Sequence, residues 1–113
     1  MNSTSLRSLR LVFKRAFATY YFDLCSPVIA DPTESFAAAA DYLGALHAQL
    51  GSEEFMRRLD DETTHLAGEV EQDLRRRLRD RQDQIEMDDL EDRLRECLEF
   101  GVGRIHLVPR RSR

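Results

Sequence analysis

Glu62, His65 and Glu69 are the residues whose types and spacing come closest to a chemical site in this chain. A Glu-x-x-His pair places a carboxylate and an imidazole on one face of a helix, because residues i and i+3 project in similar directions. Four-helix bundles use this spacing to bind divalent metal ions. The spacing therefore makes Glu62, His65 and Glu69 the candidate metal ligands of the chain.

The stretch from Glu62 to His65 resembles the ferritin-like di-metal family, over these four residues only. That family uses a second Glu-x-x-His pair and two further carboxylates, and this sequence contains no second copy of the motif. The resemblance therefore implies a dimeric carboxylate/His metal-binding bundle, in which a symmetry-related copy completes the ligand set. Helical spacing, however, turns His65 away from the apolar stripe. We accordingly predict no metal and no cofactor, with Glu62 and His65 as surface residues.

The other chemically active side chains form no catalytic pattern. His47 lies on the apolar face of its predicted helix, where a core histidine is the usual outcome, and His106 has no partner in the sequence. Cys25 and Cys97 are far apart and lack the spacing of a zinc or redox motif. No phosphate-binding glycine loop and no nucleophile elbow is present. We therefore predict no catalytic residues and a protein that is not an enzyme.

Length and composition limit the class of protein. The chain has 113 residues, of which 42% are apolar and 34% charged, with five Gly and three Pro. This length supports one domain with a modest core, and the apolar fraction is too high for a disordered chain. No charge-free apolar run approaches the roughly 20 residues that a membrane-spanning helix requires, so we predict no transmembrane segment.

Apolar residues recur with helical spacing along most of the chain, which predicts an all-α fold. We predict a single domain over 1–113, built as a small three- to four-helix bundle with a helical hairpin and an irregular C-terminal arm. The predicted helices cover about 4–24, 32–50, 52–82 and 87–100, and the extended arm covers 101–113.

Local signals fix several of these helix ends. Asp31 and Pro32 predict the start of the second helix, and Gly51 predicts its end. Gly101 and Gly103 are expected to stop the last helix. The charged run 79–84 has nothing to bury, which predicts a turn near 82–86.

The predicted turn creates a helical hairpin. It would bring the Arg-rich segment 75–81 beside the acidic segment 86–92. One long helix over 52–100 is the alternative, because no Gly or Pro marks the break.

Charge is distributed unevenly along the chain, whose formal net charge is −4. The N-terminal segment carries only cationic charges, acids dominate the middle, and the C-terminal tail is again basic. Basic ends either fold back on the acidic middle or contact an acidic partner such as nucleic acid, anionic lipid or another subunit. The candidate basic contact residues are Arg7, Arg10, Lys14, Arg110 and Arg111.

The first predicted helix carries more aromatic and apolar side chains than one face can bury. Exposed patches of this kind mark interfaces, which makes this helix the predicted partner-binding element. Its candidate partner-binding residues are Phe13, Phe17, Tyr20, Tyr21 and Phe22. We expect a non-catalytic helical protein–protein interaction module, as a small subunit or adaptor of a larger assembly or as a homodimer. The alternatives are a nucleic-acid-associated protein that uses the basic N-terminal helix and arginine-rich tail, and the dimeric metal-binding bundle.

Cysteine usage and the N-terminal sequence bear on the compartment. The two cysteines form no disulfide framework, and no secretory signal is apparent because cationic residues interrupt the first apolar run. We therefore expect a cytoplasmic protein. The N-terminus is rich in Ser and Arg and free of acids, so the mitochondrial matrix, with an uncleaved N-terminus, is the alternative.

Overall fold

The computed structural model describes residues 5–26 and 28–105, except for the side chains of residues 81–83. The described residues contain no β-strand, so the prediction of a small all-α bundle is confirmed. The elements in chain order are α1 (Leu6–Leu24), α2 (Thr33–Leu50), α3 (Ser52–Leu78), a 3₁₀ helix (Arg79–Gln84) and α4 (Met87–Gly103). Most of the predicted C-terminal arm, including His106, Arg110 and Arg111, lies outside the described residues.

The four α-helices enclose one core. α1 packs on α2, α2 packs on α4, and α3 contacts both α4 and α1. Aromatic side chains from α1 and α2 meet leucines from α3 and α4 in the centre. The core includes Phe13, Phe17, Tyr21, Tyr42, Leu43, Phe55, Leu66, Leu74, Leu90 and Leu94, each no more than 3% exposed.

The aromatic row of α1 lies inside the bundle, so its predicted role as a partner-binding surface is wrong for the folded chain. Phe13 and Phe17 are completely buried, Tyr20 and Tyr21 are buried, and Phe22 is half-buried against the core. The physical reason is that α1 has two helical neighbours, α2 and α3, which together cover more than one face. The Phe13 ring lies 6.4 Å from that of Tyr42 on α2, between ring centroids.

Polar side chains also join α1 to α4. The Tyr21 hydroxyl donates a hydrogen bond to Asp89 (3.1 Å), and Arg93 donates one to the Tyr20 hydroxyl (3.3 Å). Burial, followed by the hydrogen bond to Asp89, raises the pKa of Tyr21 to about 12. The tyrosines of α1 therefore combine a buried ring with a polar contact to a neighbouring helix.

The predicted helix boundaries at 31–34 and at 51 are present. An Asp31 carboxylate oxygen accepts hydrogen bonds from the backbone N–H (3.0 Å) and the hydroxyl (2.7 Å) of Thr33, the first residue of α2, and Pro32 occupies the N-cap position between them. Gly51 has φ 85° and ψ 160°, a conformation essentially restricted to glycine, and it is the only residue between α2 and α3.

The hairpin between α3 and α4 is present, and its break comes earlier than the sequence predicted. α3 ends at Leu78, and Arg79 adopts φ 35°, a positive value that residues other than glycine rarely adopt. The 3₁₀ helix follows, and α4 then packs against α3, so the alternative of one long helix is wrong.

The Arg-rich segment at the end of α3 pairs within its own helix. Arg75 forms an ion pair with Glu71 (2.6 Å), and Arg76 and Arg77 both contact Asp73 (3.5 and 3.2 Å). These partners lie three or four residues earlier in the helix, the usual spacing for such pairs. The sequence suggested that these arginines would lie beside the acidic segment 86–92. The ion pairs that the structure describes for them instead join them to Glu71 and Asp73.

The expectation that Gly101 stops the last helix is wrong, because α4 continues through it to Gly103. Gly101 is buried where α4 crosses α2. A Cβ atom placed on it would lie 3.0 Å from the carbonyl oxygen of Ala39 and 2.8 Å from a methyl carbon of Leu43. The close packing of α4 on α2 therefore requires glycine at this position, even though glycine has a low helix propensity.

Candidate interaction surface

A charged network joins α1 to the middle of α3. The Arg10 guanidinium donates hydrogen bonds to Glu62 (2.7 Å) and to both carboxylate oxygens of Glu69 (2.8 and 3.3 Å). The Lys14 ammonium, one turn further along α1, also contacts Glu69 (2.8 Å). At these two positions the basic N-terminal helix folds back on the acidic middle of the chain, which was one of the two predicted outcomes.

α2 contributes a third member to this network. The hydroxyl of Tyr42, a residue that is only 3% exposed, donates a hydrogen bond to Glu62. Burial and then this hydrogen bond raise the pKa of Tyr42 above its ordinary value. Burial lowers the pKa of Arg10, but its hydrogen bonds to Glu69 and Glu62 outweigh that effect and raise it overall. The raised pKa values of Tyr42 and Arg10 keep both groups protonated at neutral pH, so α2 and α1 each keep a hydrogen-bond donor to Glu62 on α3.

The candidate metal ligands do not converge. Glu62 and Glu69 are bound by Arg10 and Lys14, while His65 is exposed and its Nδ1 lies 2.8 Å from the carbonyl oxygen of Asp61. Within residues 5–26 and 28–105, no group of three or more His, Cys, Asp or Glu is placed to hold a metal ion. The Glu62 side chain is only 17% exposed, so its prediction as a surface residue is wrong, whereas His65 is at the surface.

The network predicts a loss of stability in acid. Hydrogen bonding to Arg10, against the opposing effect of burial, and the contact with Lys14 lower the pKa of Glu69 from 4.5 to about 2. As pH falls, the Glu69 carboxylate is protonated in the unfolded chain before it is protonated in the folded chain. Its contribution to the free energy of unfolding is therefore complete above about pH 5 and is lost as pH falls towards 2. The side chain is 40% exposed, and solvent screening limits the effect to about 1 kcal/mol or less.

Urea unfolding at about pH 6 and about pH 3 measures this effect. Glu69→Gln should lose less stability between the two pH values than the wild-type chain does. Asp60→Asn, at an exposed position of α3, is the control and should keep the wild-type difference. An unchanged pH dependence in Glu69→Gln would contradict the assigned role of this carboxylate.

Beside the network, α1 and α3 form an open groove of about 600 Å³, here called the α1–α3 groove. Leu11 is 42% exposed in this groove, and Val12 next to it is 55% exposed. Arg15 is also exposed and contacts no carboxylate among the residues that the structure describes. The lining residues are Leu11, Lys14, Arg15, Thr19, Glu69, Val70, Asp73, Arg76 and Arg77.

The predicted basic contact residues divide into three groups. Arg10 and Lys14 have internal carboxylate partners, Arg7 is exposed at the start of α1, and the two tail arginines lie outside the described residues. Leu11 and Arg15 were not among the predicted contact residues. The sequence does contain a signal for Leu11, which lies off the main apolar stripe of α1 that carries Phe13 and Phe17 into the core.

The other described histidine and the two cysteines make contacts within the bundle or are buried in it. His47 is half-buried at the end of α2, with its Nε2 2.7 Å from the Ser52 hydroxyl and its ring against Phe55. Burial raises the pKa of the Cys97 thiol to about 12, so this thiol stays protonated at neutral pH. The Cys25 sulfur lies 3.7 Å from the carbonyl oxygen of Gln84, where it links the end of α1 to the 3₁₀ helix.

No family model, curated protein or solved structure matches the chain. Among the helices of the described residues, none combines the length and the apolar character needed to cross a membrane. The fold and surface define the chain as a small all-α bundle with an exposed groove of cationic and apolar side chains between α1 and α3.

Proposed function

We propose that this chain is a non-catalytic helical protein–protein interaction module that binds an acidic helical segment in the α1–α3 groove. The observation that carries the proposal is the exposed Leu11 beside Arg15, which has no carboxylate partner among the described residues. An amphipathic helix places apolar residues in such a groove, and its flanking carboxylates complement the cations along the rim.

The charges of α1 and α3 favour a protein partner over nucleic acid. Arg10 and Lys14 are already bound to Glu62 and Glu69, which reduces their availability to phosphates. Carboxylates of Glu69 and Asp73 also line the groove. A phosphate backbone requires a continuous row of cations, whereas a helical peptide tolerates a mixed rim.

Peptide titration tests this function. The probe is a fluorescent synthetic amphipathic helix with Leu on one face and Glu on its flanks, and the comparison peptide has Lys in place of every Glu. We expect the acidic peptide to bind, more weakly as salt rises, and the Lys peptide not to bind. The double variant Arg15→Glu/Arg76→Glu should lower affinity about tenfold, since each reversed rim charge removes an attraction and adds a repulsion.

A matched double variant controls for net charge. Arg57→Glu/Arg58→Glu makes the same charge change at exposed positions near the other end of α3, and it should retain nearly wild-type affinity. Equal binding of both peptides, or equal loss of affinity in the two double variants, would contradict the proposal. Tighter binding to duplex DNA than to the acidic peptide would favour the nucleic-acid alternative instead.

A further inference from the structure

We infer that the acidic helix bound in the α1–α3 groove is α4 of a second copy of this chain. This inference rests on the proposed function and specifies its partner. Its basis is a row of exposed carboxylates along the outward side of α4, made up of Asp88, Asp92, Glu96 and Glu99. At 100° per residue these four positions fall within an arc of about 80°, so they form one acidic stripe.

Among the residues that the structure describes, the acidic stripe has little balancing charge. Asp88, Glu96 and Glu99 form no ion pair among the described residues, and Asp92 has only a long contact with Arg95 (3.8 Å). Arg15 in the groove equally lacks a carboxylate partner among the described residues. The described residues therefore present an acidic stripe on α4 and a groove whose four lining cations outnumber its two carboxylates.

The two patches are of comparable length. The stripe from Asp88 to Glu99 extends for about 16 Å, and the α1 wall of the groove from Leu11 to Thr19 extends for about 12 Å. Phe100 follows the stripe directly in sequence; one side of its ring stacks on Phe36 (centroids 4.8 Å apart), and its exposed 40% offers an apolar edge to Leu11 and Val12 of the other copy. Charge and apolar contacts are thus both available along one helix.

The location of the patches allows reciprocal exchange. α4 packs against α2 and α3, and it contributes no residue to the lining of the α1–α3 groove. Each copy can therefore offer its α4 stripe to the other's groove while receiving the other's stripe in its own. This is the self-complementary pattern of a two-fold dimer. Because most of the contacts are exposed ion pairs, the dimer should be weak and sensitive to salt.

Paired charge reversals test the inference. One full-length variant, Arg15→Glu/Arg76→Glu, reverses the charge of the groove, and the other, Asp92→Lys/Glu96→Lys/Glu99→Lys, reverses the charge of the stripe. Within each variant alone, groove and stripe carry the same sign and repel. In a mixture of the two, both contacts again join opposite charges. We expect each variant alone to sediment at the chain mass of 13.1 kDa and the equimolar mixture to form a dimer.

The wild-type chain provides the reference at about 50 µM protein and about 20 mM salt. It should dimerise there, and raising the salt to about 300 mM should lower the association constant at least about tenfold. Arg57→Glu/Arg58→Glu should dimerise like the wild type, and circular dichroism should show that every variant retains its helices.

The remaining outcomes overturn the inference and separate it from the proposed function. A monomeric wild type at low salt, a monomeric mixture, or a ladder of species larger than a dimer would each exclude the reciprocal dimer. If the acidic peptide still binds the groove in that case, the interaction module stands and its partner is another protein. If the peptide also fails to bind, both proposals fall together.

Discussion

We expect Phe17→Ala to lower the free energy of unfolding by about 3 to 5 kcal/mol. Phe17 is completely buried, and its ring packs against those of Phe13, Tyr20 and Tyr21, with centroids 6.1 to 6.3 Å apart. Truncation removes the apolar contacts of the ring and leaves a cavity among side chains that can only partly relax. Urea denaturation monitored by circular dichroism measures the loss.

Val12→Ala is the control for Phe17→Ala, because it shortens an apolar side chain of the same helix that is 55% exposed. This variant should change the unfolding free energy by no more than about 0.5 kcal/mol. If Phe17→Ala were equally neutral, the aromatic row would have to lie at a surface, as the sequence suggested. The comparison therefore tests directly whether the row belongs to the core.

Gly101→Ala is expected to destabilise the chain by about 1 to 3 kcal/mol, even though alanine is the better helix former. The added methyl group would lie 3.0 Å from the carbonyl oxygen of Ala39, a backbone atom that cannot move without shifting α2. The contact with Leu43 is more easily relieved, since its methyl group belongs to a flexible side chain. Thermal or urea unfolding gives the measurement.

Gly68→Ala is the control for Gly101→Ala, and we expect it to stabilise the chain. Gly68 lies inside α3, and nothing is within 4 Å of the position that its Cβ would occupy. Alanine there should raise the unfolding free energy by about 1 kcal/mol through helix propensity alone. Stabilisation of both variants would show that α2 and α4 can separate at Gly101 without cost, which would contradict their close packing.

Helical periodicity and end signals were sufficient to predict the fold class. The apolar stripes gave four helical segments, and Asp31 and Gly51 marked the boundaries of the second. These signals are local, because a helix and its capping residues depend on neighbours within about one turn. The turn between α3 and α4 was predicted for the same reason, from a run of charged residues with nothing to bury.

The predictions that were wrong or incomplete concern residues whose surroundings are set by residues distant in sequence. Whether the α1 aromatics are buried depends on which helices flank α1, and periodicity within α1 does not contain that information. Arg10 contacts Glu62 and Glu69, which are 52 and 59 residues away in sequence. Gly101 was interpreted by its propensity, but its role is set by the backbone of α2.

The α1–α3 groove could not be predicted from local sequence patterns for a related reason. Its walls come from α1 and the end of α3, so its lining residues become neighbours only after the helices pack. Composition did identify the basic N-terminal segment. It did not separate Arg10, which has internal partners, from Arg15, which faces the groove without one among the described residues.

The single-residue connection at Gly51 also governs how this chain can vary in length. Because α3 starts immediately after Gly51, one extra residue accommodated within the helix would rotate all that follows by about 100°, turning Leu66 and Val70 away from the core. The connection over 25–32 joins α1 to α2 with several residues and has more room for insertions. Relatives of this chain should therefore gain or lose residues between α1 and α2 and keep the α2–α3 joint at constant length.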